Sequence, residues 1–359
     1  MTEFFTNTLP SLWGSVWPYF VAILLFGILI AIHEIGHFLF AKLFNVRVND
    51  FALGMGPALL KKQKGETKYS LRLFPLGGYV NMEGEDTDSD DERAFFRKPC
   101  WQRFIIVAAG AILNLILGVI VVAIVLSSDD LIGTKTINGF FEDSVSNNYG
   151  LQADDEILEI NGTKIYSYRG IGFNLIRDED SSVDFKVRRN GQETDITGVK
   201  FDTFDYEGRD YIVWDFQLVG VKPTAWGVIK GAVLDSASIV QLVRLSLFDM
   251  VSGKYGLKDI SGPIGTISAI ADTTAQAKTF KDKMLTALEL LSYITINVGV
   301  FNLLPIPALD GGRLFFITIE AIRRKPISRK YEGYIHATGL ILLLLFMAVV
   351  TISDIMKKF

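Results

Sequence analysis

The motif His33-Glu34-Ile35-Gly36-His37 lies inside an apolar run covering residues 18–44. On a helix its two His fall one turn apart on one face, with the Glu beside them. That spacing suits two ligands of one zinc ion and a general base. The flanks are Val21-Ala22-Ile23-Leu24-Leu25-Phe26 and Phe38-Leu39-Phe40, so the helix is expected to cross a membrane. Ionisable side chains at membrane depth are costly unless they are satisfied and used. A polar knot binding neighbouring helices is the alternative, but a knot needs no particular spacing.

Composition limits what surrounds the motif. The chain has 359 residues, 49% of them hydrophobic, and a formal net charge of -4. No basic surface points to nucleic acid. One cysteine, Cys100, excludes an internal disulfide framework. Only three His are present and two are in the motif, so a third protein ligand for zinc is expected to be a carboxylate. Residues 1–17 contain no Lys or Arg. They lack the charged start of a cleaved signal peptide, and the first apolar run is expected to be a retained span.

The chain divides by composition into eight parts. Residues 1–44 are an N-terminal segment and first span, long enough to cross about 30 Å of hydrocarbon. Counted from Pro18, His33 lies about 22 Å along the helix. Residues 45–103 are rich in Lys and Arg, including Lys61, Lys62, Lys64, Arg93 and Arg97, and are placed in the cytoplasm. Lys68-Tyr69-Ser70-Leu71-Arg72-Leu73 alternates as a strand, and Gly and Pro punctuate its neighbours. Several short strands in a membrane-associated β region are expected there. Residues 104–126 are the second span, with Asn114 its one polar residue, read as a helix–helix hydrogen bond.

Residues 127–205 have the composition of a folded soluble domain, with Asn161-Gly162 and Asn190-Gly191 as hairpin turns. Residues 206–283 hold further strands, then an apolar stretch from Trp226 to Met250 that carries Lys230, Asp235, Arg244 and Asp249. Those charges suit an amphipathic helix on the outer membrane surface. Ser261-Gly262-Pro263-Ile264-Gly265 breaks the chain after it. Residues 284–312 are the third span, ending in Asn302-Leu303-Leu304-Pro305-Ile306-Pro307-Ala308-Leu309-Asp310-Gly311-Gly312. Two prolines interrupt the helix, and Asp310 is placed to cap the next one. From Met284, Asn302 lies about 27 Å along, near the depth of the His pair. Residues 313–333 form a basic cytoplasmic loop and 334–359 the fourth span, with His336 at its interface.

Residues 131–201, through Leu151-x-x-x-Asp155-x-Ile157-Leu158-x-Ile160-Asn161-Gly162, resemble a PDZ domain of the bacterial protease type. Asp154 stands where such domains usually have Gly. With His33-Glu34-x-x-His37, Gly77-Gly78-Tyr79-Val80 and Asn302-x-x-Pro305-x-Pro307-x-Leu309-Asp310-Gly311, four separated stretches match one family. The chain resembles the bacterial site-2 proteases, RseP-type zinc intramembrane metalloproteases of peptidase family M50, with a single PDZ domain. The resemblance implies one zinc per chain held by His33, His37 and Asp310, with Glu34 activating water. It also implies that Asn302 holds the substrate backbone. Gly77, Gly78, Tyr79 and Val80 are the candidate substrate-binding strand edge.

The expected fold is a multi-pass α-helical membrane protein of four transmembrane helices, with a membrane-associated β-hairpin or sheet and an inserted extracytoplasmic PDZ-like α+β domain. The expected place is the bacterial cytoplasmic (inner) membrane, with both termini outside. The expected partners are the lipid bilayer and single-pass membrane proteins, such as anti-sigma factors, or signal-peptide remnants. A membrane-embedded PDZ adaptor with a structural metal site is a second reading, but a structural site does not need Glu34. A metal transporter would repeat ligands along a pathway, and one cluster is visible.

Overall fold

The computed structural model describes residues 9–254 and 279–356, except 86, 179 and 207–208, together with 265, 266, 268, 273 and 276. The expected break at 261–264 and the extreme termini lie outside the described residues. In chain order the helices are α1 (Leu9–Leu43), α2 (Cys100–Ser128), α3 (Tyr168–Ile176), α4 (Ala225–Val251), α5 (Phe280–Leu303), α6 (Asp310–Arg323) and α7 (Arg329–Met356). The strands are β1 (Val48–Lys64), β2 (Thr67–Met82), β3 (Ile132–Phe140), β4 (Glu156–Ile160), β5 (Thr163–Lys164), β6 (Ser182–Arg189), β7 (Gln192–Lys200), β8 (Thr203–Tyr206), β9 (Arg209–Ile212) and β10 (Phe216–Val221). Two compact units result: Met1–Gly118 with Asp249–Phe359, and Val119–Phe248.

Among the described residues, five helices are long and apolar enough to cross a membrane: Tyr19–Leu43 within α1, then α2, α4, α5 and α7. Four are the spans expected from the sequence. The fifth, α4, is the helix expected on the membrane surface.

In the first unit, small residues set the helix packing. A Cβ at Gly36 would lie 2.6 Å from the Ala109 carbonyl oxygen, so α1 meets α2 backbone to backbone. A Cβ at Gly299 of α5 would lie 3.1 Å from the Ala111 carbonyl oxygen. Apolar helices gain little from hydrophobic burial inside lipid, and such close approach supplies van der Waals contact instead.

The β region is a hairpin, one of the two forms expected, but it is not built of several short strands. It is one hairpin of two long strands, each bent back on itself. Phe51 pairs with Val80 and also with Tyr69, and Leu53 with Gly78 and also with Leu71. Residues 50–53 are therefore flanked by two segments of β2, while Leu60 to Lys64 pair with Leu71 to Thr67. Gly54, Gly56 and Gly77 have φ of 88°, 81° and 78°, which bends a strand without ending it. Pieces that read as separate strands are thus parts of two. Met55, Leu59, Leu60, Leu71, Leu73 and Phe74 are exposed on the hairpin, an apolar outside that suits lipid contact. At its tip Glu66 accepts hydrogen bonds from Arg93 and from Lys42 in the last turn of α1. Those two cations hold its carboxyl down at about 2.

The second unit is a sheet in the order β10-β3-β4-β6-β7, with β5 paired to β4, over a core that includes Ile137, Ile157, Ile160, Ile171 and Phe185. Asn161-Gly162 and Asn190-Gly191 have positive φ at both residues, the geometry of two-residue hairpin turns. Asp154 has φ 71°, which explains why a Gly is the usual occupant and why Asp is tolerated there. Asp155 is fully buried and takes a two-pronged hydrogen bond from Arg189 at 2.8 Å on each side. The sheet continues past residue 205, because β10 pairs with β3 with Phe216 opposite Phe140.

α4 contributes a polar stripe to this unit. Asp235, 2% exposed, accepts from Arg169 at 3.0 Å. Ser238 bonds Ser167 at 2.9 Å, and Gln241 donates to the Lys164 carbonyl at 3.0 Å.

Candidate metal centre

α1 positions both imidazoles. One turn apart, His33 and His37 bring their Nε2 atoms to 3.2 Å from each other. Asp310 Oδ2 lies 3.2 Å from each of the same two nitrogens. Three donor atoms therefore form a triangle with equal edges. Ligands held about 2.0–2.1 Å from one zinc at tetrahedral angles stand about 3.3 Å apart, so the triangle has the size a zinc needs. Asp310 Oδ2 is buried and makes no hydrogen bond among the described residues. A buried carboxylate oxygen without a donor is costly, and a cation bound by this N, N, O set removes the cost. The residues present fit zinc.

The break after α5 delivers the carboxylate. α5 stops at Leu303 because Pro305 disfavours a helical Leu304 and Pro307 follows. The chain returns through Ala308 at φ 77°. It passes so close to α5 that a Cβ at Gly311 would lie 1.9 Å from the Leu304 carbonyl oxygen. Asp310 does not cap α6, as the sequence reading had it. Leu309 is the N-cap, without a side-chain bond, and Asp310 is the first helical residue. Its side chain turns to the His pair, which competes with the free N–H groups for the same carboxylate. His336 lies outside the triangle: its Nδ1 accepts from the Ala308 N–H at 3.1 Å, fixing the loop that carries Asp310.

Glu34 follows His33 and faces β2. A Cβ at Gly78 would lie 2.8 Å from Glu34 Cγ, so only glycine lets the strand come this near. Tyr79 pairs with Ala52 and Val80 with Phe51, and the Tyr79 hydroxyl accepts from Arg72 at 2.6 Å. Asn302 sits in the last turn of α5, half-buried, and its amide makes no hydrogen bond among the described residues. The structure brings His33, Glu34, His37, Asp310 and Gly78 together, while among the described residues no hydrogen bond or ion pair links Asn302 to them.

Three groups surround the triangle, of which the sequence pointed only to Asn114, as a helix–helix hydrogen bond without a named partner. His37 Nδ1 bonds the Ile106 carbonyl at 3.0 Å, which puts the proton on Nδ1 and leaves Nε2 a lone pair. The Asn114 amide stands 3.4 Å from His33 Nδ1, and its Oδ1 is buried without a hydrogen bond. Turning the amide end for end gives His33 Nδ1–H an acceptor and Oδ1 a donor, and leaves His33 Nε2 free to ligate. Gly110 is the third: a Cβ there would lie 2.4 Å from His37 Nε2 and 2.9 Å from His33 Cε1. A lone polar residue in mid-span was the available signal for Asn114, but sequence gives no partner for it. Asn114→Leu is expected to weaken zinc binding about 10–100-fold, with Asn114→Asp keeping the acceptor and most of the affinity. Competition with a zinc chelator on the purified proteins measures this.

Residues 21–346 match the sequence family described as peptidase family M50. A protein of Clostridium acetobutylicum named as a zinc metalloprotease is 36% identical over 335 residues, covering 93% of this chain and 96% of its own length. One of Fusobacterium nucleatum, also named as a zinc metalloprotease, is 34% identical, covering 95% and 99%. The regulator of sigma-W protease RasP of Bacillus subtilis is 29% identical, covering 94% and 98%.

Proposed function

This chain belongs to peptidase family M50 and is a zinc metalloprotease with several membrane-crossing helices, and on that premise we propose that it cleaves peptide bonds inside transmembrane segments. One observation carries the reading: the His33, His37 and Asp310 triangle and Glu34 sit on or beside helices long enough to span the bilayer. His33, His37 and Asp310 would hold one zinc. That ion would supply a Lewis acid for the scissile carbonyl and lower the pKa of the attacking water. Glu34 takes the water proton and passes it to the leaving nitrogen. Asp310 and two neutral His leave about one positive charge at the site, which Glu34 balances.

A transmembrane helix hides its carbonyls in its own hydrogen bonds and must be locally extended before it is cut. The freed N–H and C=O groups then need partners. Residues 77–80 offer them by strand addition. Their segment pairs with residues 50–53 on one side, and its Gly78 abuts Glu34. Asn302 is proposed to hold the opposite side of the same backbone. Substrates of this kind are single-pass membrane proteins, anti-sigma factors among them, or signal-peptide remnants.

The Lys and Arg distribution favours the cytoplasmic membrane, residues 45–103 and 313–333 inside, and the PDZ-like domain of residues 127–205 and both termini outside. Four spans are proposed, not five. The α4 stripe Asp235, Ser238 and Gln241 is engaged by the soluble unit at mid-helix, and hydrocarbon would leave no room for that engagement. Residues 127–205, within the second unit, are proposed to be a PDZ-like domain.

The purified protein is expected to cut a fluorescent transmembrane peptide, and a zinc chelator is expected to stop it. A peptide loosened by Gly or Pro near the cut should be cleaved faster than a fully helical one. Cleavage that survives chelation, or indifference to helicity, would count against the mechanism.

A further inference from the structure

Beside the metal triangle lies an apolar cavity of about 280 Å³ between α1 and the hairpin. Gly27, Ile30 and Ala31 form one wall, and Leu53, Pro75 and Gly77 the other. On α1, Ala31, Ile30 and Gly27 stand three, four and seven residues before Glu34, so the wall continues the face that carries Glu34. The opposite wall continues into Gly78, which touches Glu34. The cavity therefore lies within one helical turn of Glu34 along α1 and one residue from Gly78 along β2.

We propose that this cavity is a specificity subsite that receives a large apolar side chain, Leu or Phe, from the substrate segment next to the cut bond. The proposal rests on the peptide-cleaving reading. A segment extended along residues 77–80 sends alternate side chains to opposite faces, and one face of it looks into the cavity. An apolar cavity of about 150 Å³ already holds a benzene molecule, so this one takes an aromatic ring or a branched aliphatic group. A charged or amide side chain would lose its water and find no partner. An alanine would leave the space empty. Room is kept by the missing side chain at Gly27: a Cβ there would meet Pro75 at 3.6 Å, and anything longer fills the cavity.

The test uses purified full-length, zinc-loaded protein and synthetic transmembrane peptides that differ only at the residues flanking the cut. Each flanking position carries Ala, Leu or Phe in turn, and kcat/KM is read from the fragments by mass. At one position wild type is expected to prefer Leu or Phe over Ala by about 10-fold or more. Gly27→Leu should bring that ratio close to one. Leu71→Ala widens the same cavity and should raise Phe relative to Leu; Leu71 is exposed, so this variant carries the test if Gly27→Leu does not fold. A wild type without preference, or a Gly27→Leu variant that slows all three peptides alike, overturns the subsite. No cleavage of any peptide by the wild type overturns the proteolytic reading and the subsite with it.

Discussion

Glu34→Gln is expected to keep its zinc and lose cleavage by about 10²–10⁴-fold. Gln has the shape of Glu, so the contact with Gly78 survives. Neither the triangle nor its supports include Glu34: the three donor atoms belong to His33, His37 and Asp310. What disappears is a side chain able to take a proton from water and return it to the departing nitrogen. Metal analysis and peptide cleavage on one preparation separate the two effects. Full activity in the variant would sink the mechanism. Loss of zinc along with activity would mean that Glu34 shapes the site instead, which is what the embedded-adaptor reading would need.

The parts of this site legible in the sequence are those set by local geometry. Two His four apart must share a helix face, and two prolines must break α5, so His33, His37 and the turn toward Asp310 could be read directly. The surrounding groups come from other helices. The Ile106 carbonyl, Gly110 and Asn114 reach the imidazoles only through the crossing of α1 and α2, and no spacing rule pairs residue 33 with residue 114. The hairpin shows the same division. Its alternation was visible, but three glycines at positive φ turn what reads as several strands into two folded ones, and only pairing tells these apart. The charges of α4 point to a surface helix, while its length and mean apolarity also qualify it as a span. The proposal of a surface helix rests on its hydrogen bonds to Arg169, Ser167 and Lys164 within the same unit.

Gly110→Ala is expected to empty the site while leaving the fold intact. The added methyl would stand 2.4 Å from His37 Nε2, 2.8 Å from His37 Cε1 and 2.9 Å from His33 Cε1. None of these is backbone, so the clash is relieved by moving imidazoles. His37 is held from behind by the Ile106 carbonyl at 3.0 Å, so it cannot move without breaking the bond that sets its tautomer. A displacement near 1 Å is enough to cost about 100-fold in a site of this kind. The helix itself gains, since alanine is favoured over glycine in a helix by about 1 kcal/mol. Thermal unfolding of the metal-free variant should therefore match or exceed wild type, while bound zinc and cleavage both fall. Gly36→Ala makes the contrast. Its methyl meets backbone, 2.6 Å from the Ala109 carbonyl oxygen and 2.8 Å from Gly110 Cα, so the two helices must part. That variant should lose stability first and zinc as a consequence. If Gly110→Ala binds zinc as wild type does, the triangle is not the metal site.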